Sequence, residues 1–259
     1  MSCARPSCFT VTKPDAGRRL RGRHVAAAAL ALGLGSTPAL AADLNTFDQI
    51  SQTQFQQISS DLGSALSYKG LVPAETTGPL GFDLGVAVTA TRLEHSEALG
   101  AAAGGADISG TFAMPSLRAN KGLPFGFSVG GMLAQSESTD IRVLGGEVRW
   151  ALVPGDIVMP AIALRGAFTK VTGIDQLDFD TRSIDVSISK GLLMLTPYAG
   201  IGRVQVNSTP EAATGLSGLR LYQTRTFVGL NVNLGFNLAF EADRTGDVTS
   251  YGVKAGLRF

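Results

Sequence analysis

From Leu80 to Phe259 apolar residues recur at every second position, segment after segment. Phe82, Leu84, Val86, Val88 and Ala90 alternate with Gly81, Asp83, Gly85, Ala87 and Thr89. A period of two is the repeat of a strand whose two faces meet different media. The pattern returns around Val129–Leu133, Leu144–Leu152, Ile162–Phe168, Ile184–Ile188, Tyr198–Val206, Val228–Leu234, Phe236–Phe240 and Tyr251–Phe259, with a less regular stretch ending near Ala119. That predicts about ten strands. Mean hydropathy is positive and only 17% of residues are charged. Yet beyond residue 41 there is no run of roughly 18 apolar residues of the kind a membrane helix requires. An apolar average without an apolar run is what strands with one lipid-facing side produce.

Alternation alone does not separate a membrane barrel from a soluble sandwich or lipocalin-like barrel, because a core-facing stripe and a lipid-facing stripe read alike. Three further features favour the membrane barrel. The second face is rich in Gly, Ala, Ser and Asn and carries a charge on nearly every strand. Tight turns at Lys121–Pro124, Pro154–Asp156, Gly191 and Gly235 alternate with longer stretches at His95–Asp107, Thr172–Asp178 and Asn207–Gly218, an incomplete asymmetry because the links after strands three and nine are also short. Short turns on the periplasmic rim and longer loops outside are the outer-membrane pattern. The chain also closes on Tyr251, Val253, Ala255, Leu257 and Phe259, which resembles the C-terminal signal read by the barrel assembly machinery.

The first 41 residues read as a cleavable signal peptide rather than a buried helix. Arg18, Arg19, Arg21 and Arg23 form a basic region, Val25–Gly35 an apolar core, and Ala39-Leu40-Ala41 a small-x-small cleavage site. Cleavage after Ala41 would remove six of the 22 basic residues and one of the 21 acidic ones, leaving a net charge of −4. Cys3 and Cys8 would go with it, so neither disulfide nor thiolate chemistry is expected. Residues 42–79 read as a helix and linker, periplasmic or lumenal, and residues 80–259 as the barrel. In the helix, expected over Asn45–Tyr68, Phe55, Ile58, Leu62 and Leu66 share a face, and Thr53 with Gln56 has capping-box spacing. Pro73 and Pro79 mark the linker.

The stretches Lys121-Gly122-Leu123-Pro124-Phe125-Gly126, Ser187-Ile188-Ser189-Lys190-Gly191 and Leu195–Arg203 resemble those of an uncharacterised family of proteobacterial outer-membrane β-barrels. The resemblance, over Asp61–Phe259, implies the fold and the compartment. It implies no substrate and no catalytic residue.

The inward stripes would carry Asp83, Glu147, Arg149, Arg165, Asp185, Arg203, Arg225, Glu241, Asp243, Lys254 and Arg258. Opposite signs on neighbouring strands attract across a narrow lumen. They suit a structural network filling the interior, or the wall of a small-solute path. Arg165, Arg203 and Arg225 are expected toward the outer half, where a surplus of guanidinium would favour an anionic solute. His95, with Glu94, Ser96 and Glu97 beside it, is the single candidate base beyond residue 41. One loop histidine without a demonstrated nucleophile does not define an active site, so a lipid- or peptide-directed enzyme stands as the alternative. No metal or cofactor motif appears, and nothing points to nucleic acid. The expected partners are outer-membrane lipid, the assembly machinery and a small anionic solute, in a Gram-negative outer membrane.

Overall fold

The computed structural model describes residues 44, 46–136, 140–156 and 158–259. The signal segment, its cleavage site and both cysteines lie outside that range. Ten antiparallel strands close on themselves: β1 (Phe82–Arg92), β2 (Thr111–Gly122), β3 (Phe127–Gln135), β4 (Arg142–Val153), β5 (Ala161–Thr172), β6 (Leu177–Ser189), β7 (Leu195–Pro210), β8 (Leu219–Asn233), β9 (Asn237–Thr245) and β10 (Val248–Arg258). Each strand pairs with its sequence neighbours, and β1 pairs with β10 from Asp83↔Arg258 to Arg92↔Thr249. The seam is finished by Phe82 and Phe259, whose amides donate to each other's carbonyls at 3.0 and 2.9 Å.

The faces are those of a transmembrane barrel turned inside out relative to a soluble one. Leu84, Val86, Leu117, Leu133, Leu144, Val148, Phe168, Ile184, Ile201, Val228, Phe240 and Tyr251 all stand exposed on the outside. Asp83, Glu147, Arg149, Arg165, Asp185, Arg225, Glu241, Asp243 and Lys254 are buried inside. The observation that alternation could not supply is therefore which stripe is dry.

Turns after β2, β4, β6 and β8 share one rim with the start of β1 and the end of β10. The opposite rim carries the β1–β2 connection, which contains helix α2 (Ser96–Ala102). The predicted loops after β5 and β7 are shorter than expected, because β6 begins at Leu177 and β7 runs on to Pro210. Their outer ends are lined inside by apolar residues, so the alternation of apolar with polar fades there.

Helix α1 (Gln52–Leu66) stands inside the outer half of the barrel. It follows a short 3-10 turn at Phe47–Gln49, and its cap is two residues earlier than predicted. Ser51 and Gln54, not Thr53 and Gln56, form the capping box: the Gln54 amide donates to Ser51 Oγ at 3.3 Å and the Ser51 amide to Gln54 Oε1 at 2.9 Å. Both pairs have the right spacing, but Ser51 is extended while Thr53 already lies inside the helix, and a cap residue is non-helical. Phe55, Ile58, Leu62 and Leu66 are buried, as their spacing predicted, but so are Ser59, Asp61 and Ser64 on the other face. Gln52, Thr53 and Gln56 are exposed at the rim, and from Asp61 onward the enclosed helix has no solvent side.

The outer half of the lumen is accordingly an apolar core. Phe47, Phe55, Ile58 and Leu62 pack among Phe112, Met114, Val143, Val171, Phe179, Val204 and Val206 of the wall. Below it the chain leaves the helix as an extended linker and descends to the short-turn rim, with residues 61–74 buried without interruption.

Candidate functional site

The inner half of the lumen is polar, and its side chains converge on that linker. Four arginines from four different strands donate to consecutive stretches of its main chain. Arg225 on β8 reaches the Tyr68 carbonyl at 2.6 Å. Arg118 on β2 reaches the Lys69 carbonyl, Arg149 on β4 the Pro73 carbonyl at 2.6 Å, and Arg258 on β10 the Glu75 carbonyl at 3.2 Å. Ser189 of β6 accepts from the amides of Ala74 and Glu75 at 3.1 and 3.3 Å. An extended segment has no partners of its own for its amides and carbonyls, so burial requires the wall to supply them.

The same guanidiniums are balanced by acids. Arg225 donates to Asp243 at 2.5 Å and to Glu241 at 3.2 Å. Arg165 grips Asp185 with two N–H groups at 2.9 and 3.0 Å and stands 3.7 Å from Glu147. Asn120 donates to Glu147 at 2.6 Å, and Tyr198 to Glu241 at 3.0 Å. Lys254 closes on both oxygens of Asp83 at 2.7 and 2.8 Å. Lys69 enters from the linker, donating to the Ser64 carbonyl at 2.5 Å and lying 3.5 Å from Asp243. The Phe227 ring sits between Arg165 and Arg225, with their guanidinium carbons 5.4 and 5.0 Å from its centroid.

Fit is close. A methyl added at Gly70 would lie 1.8 Å from Arg165 Nη1, and one at Gly145 would meet the Tyr68 ring at 2.8 Å. The cavity beside Lys69, Ser67 and Arg118 is only about 10 Å³, roughly one probe sphere of water.

The predicted charges come together on the inside with one exception. Arg203 points outward and is exposed, its guanidinium 5.1 Å from the Tyr222 ring centroid. The inward residues of β7 at that height are Val204 and Val206, which pack on α1. Taking the polar residue as the inward one inverts the parity wherever the lumen itself is apolar. The expected outer ring of three arginines is therefore absent, and Arg165 and Arg225 have no free positive charge to offer. Nor do acids at the start of β6 fold in to pair with them: Asp178 pairs with Lys170 and Asp180 accepts from Asn207.

Sequence reasoning did not place Lys69, Glu75, Arg118, Asn120 or Tyr198 in the network. Arg118 and Asn120 had a legible signal in the every-second-residue set Ser116, Arg118, Asn120. Lys69 and Glu75 had none, because nothing local tells a linker that it will lie in a lumen. His95 accepts a structural partner that sequence proximity did not suggest. Its Nδ1 lies 3.0 Å from Asp61 Oδ1, and its amide donates to Asp61 Oδ2 at 2.7 Å, tying the β1–β2 loop to α1. No group of potential metal ligands occurs among the described residues.

Fold and site together define a transmembrane antiparallel barrel plugged by its own N-terminal segment. No family model matches the chain, and no curated protein does. Solved structures with a similar fold include a loop-deleted OmpT, an outer-membrane protein of Vibrio cholerae, at 14% identity and TM-score 0.32, covering 57% of this chain and 54% of that one. The chain thus spans about half the length of that protein. The Ail protein of Yersinia pestis is similar at 12% identity and TM-score 0.29, over 69% of this chain and 97% of that one. The translocator domain of autotransporter NalP from Neisseria meningitidis is similar at 12% identity and TM-score 0.36, over 80% and 96%. These likenesses concern the fold alone.

Proposed function

We propose that the chain is an outer-membrane β-barrel protein of a Gram-negative envelope, resident as a closed, structural barrel and porin-like for small anionic solutes only when its plug moves. The observation that carries this reading is the capture of the linker main chain by Arg118, Arg149, Arg225 and Arg258 from four sides of the bore. A filled lumen is what small barrels usually have, and the exposed apolar belt supplies the lipid-facing surface. With the plug displaced, Arg118, Arg149 and Arg258 lose their carbonyl partners and Glu75 leaves with the linker, which favours anions. Tyr251, Val253, Ala255, Leu257 and Phe259 serve in this reading as the signal for the assembly machinery, and the proteobacterial family resemblance belongs with it. His95 is a latch between loop and helix rather than a catalytic base.

The test is a planar-bilayer recording of the purified, folded full-length protein. The wild type is expected to show no steady conductance, and Asp61→Ala, which cuts the latch, to show brief openings selective for anions. A steadily open wild-type pore, or cation-selective openings in the variant, overturns the reading. Recovery of the folded protein from the periplasm without detergent overturns the membrane placement itself.

A further inference from the structure

At the short-turn mouth, where the linker leaves the lumen, one guanidinium is under-used. Arg258 has only 8% of its side chain exposed, and its Nη1 has no hydrogen-bond partner. Its Nη2 donates to the Glu75 carbonyl at 3.2 Å, while the Glu75 carboxylate stands off at 3.9 Å. Thr196 Oγ1 reaches that carboxylate at 3.5 Å, the limit of a hydrogen bond. Thr77 Oγ1, two residues further along the linker, is likewise buried without a partner. Three other acids of the lumen are held far more tightly: Asp83 by Lys254 at 2.7 Å, Asp185 by Arg165 at 2.9 Å and Asp243 by Arg225 at 2.5 Å.

A guanidinium is a fork of five donors matched to two oxygens at once. Among the described residues the one carboxylate within ion-pair distance, Glu75, is at the edge of that distance, on a side chain that is one-third exposed (33%). We propose that Arg258 and Thr196 form a site for a small soluble oxyanion, carboxylate or phosphate, open to the short-turn mouth, and that Glu75 occupies it as a resident competitor. An incoming anion takes Nη1 and Nη2 as a bidentate pair, accepts from the Thr196 hydroxyl, and turns the Glu75 side chain out to water. The displaced Glu75 carboxylate stays tethered at the mouth, so the incoming anion adds its own charge there and binds weakly while Glu75 is ionised. Asp83 does not compete, because Lys254 holds both of its oxygens. The exchange also frees the Glu75 end of the linker, and in that one respect it builds on the plugged-barrel reading.

The experiment titrates inorganic phosphate, then acetate, into the folded full-length protein in detergent and reads binding by calorimetry. Wild type is expected to bind phosphate weakly and saturably, with acetate competing. Glu75→Gln, which removes the competitor, is expected to bind about fivefold tighter, the scale of a partly exposed ion pair. Arg258→Gln is expected to lose binding. Should that variant fail to fold, Thr196→Val keeps every charge and is expected to weaken binding several-fold. Absence of saturable binding in Glu75→Gln, or binding indifferent to Glu75, Arg258 and Thr196, overturns the site. Binding of a short-chain phosphatidylglycerol but not of free phosphate overturns it too, by assigning the group to a lipid headgroup. No membrane current enters the measurement: an open wild-type pore with intact phosphate binding sinks the plug alone, and a closed pore without phosphate binding sinks this site alone.

Discussion

Arg225 has none of its side chain exposed and engages two carboxylates and a main-chain carbonyl at once. Removing it leaves buried Asp243 to Lys69 and buried Glu241 to the Tyr198 hydroxyl, a setting where under-compensated charge is far costlier than the pair was worth. Arg225→Met is expected to destabilise the folded barrel by about 3–5 kcal/mol, read as a lower urea midpoint for loss of the compact band on an unheated gel. Arg203→Ala, by contrast, removes only an exposed stacking partner of Tyr222. Its cost should stay below about 1 kcal/mol in the same assay. The contrast tests the corrected parity of β7 directly, since an inward Arg203 would behave like Arg225. Trp150 lies on the outer face of β4, 42% exposed and stacked on Phe127 at 5.5 Å near the short-turn rim. Brominated lipid should quench its fluorescence and aqueous iodide should not; the reverse result would put β4 out of register.

Among the elements, α1 makes the most specific claim about topology. Thr46 donates to the carbonyl of Ala102 in the long-loop connection at 2.7 Å, and Gln52 exchanges two hydrogen bonds with Ser217 at the same rim. The start of the described chain is therefore at the long-loop rim, although β1 begins at the other. The chain's cysteines, Cys3 and Cys8, belong to the expected signal segment. Gln49→Cys should then react with an impermeant maleimide on intact cells, and Val158→Cys, 83% exposed in the β4–β5 turn, only after permeabilisation. Labelling in the opposite order would invert the barrel. That turn has its own pH dependence. The amides of Val158 and Met159 both donate to Asp156 Oδ1 at 2.6 Å, holding its carboxyl below the ordinary aspartate range. A depressed carboxyl contributes above its unfolded pKa and loses that contribution as pH falls through the folded one. Amide exchange at Val158 and Met159 should accelerate, relative to neighbouring turns, as acid protonates Asp156. The strands were legible wherever the lumen is polar, as in Leu144–Leu152 against Glu147 and Arg149. They were not legible at Leu219–Thr224 or Leu177–Arg182, where both sides of the strand read differently because α1 makes part of the interior apolar. The helix was legible from Phe55, Ile58, Leu62 and Leu66, but its place was not, since periodicity reports a face and not what the face touches.

At the scale of the whole molecule, the seam between β1 and β10 decides whether there is a barrel at all. Phe259 supplies its last two backbone hydrogen bonds and packs its ring 5.1 Å from that of Phe82. Deleting Phe259 should reduce the folded fraction in the outer membrane while leaving export intact, measured as heat-modifiable protein against total processed protein. Equal folded amounts would make the residue dispensable to closure. The seam joins positions 171 residues apart, as in the Asp83–Lys254 pair, and contacts so distant in the chain form late because loop closure must come first. The linker enters β1 at Gly81, whose neighbours are Thr77 and Phe259, so the plug is tethered at the very edge that seals last. It has no need to be pushed end-on through a finished pore. A tether at that edge lets it be enclosed sideways, with the final pairing shutting it inside like a page bound into a spine. A plug that packs slowly would then hold the sheet open and lengthen the time its edge strands stand unpaired.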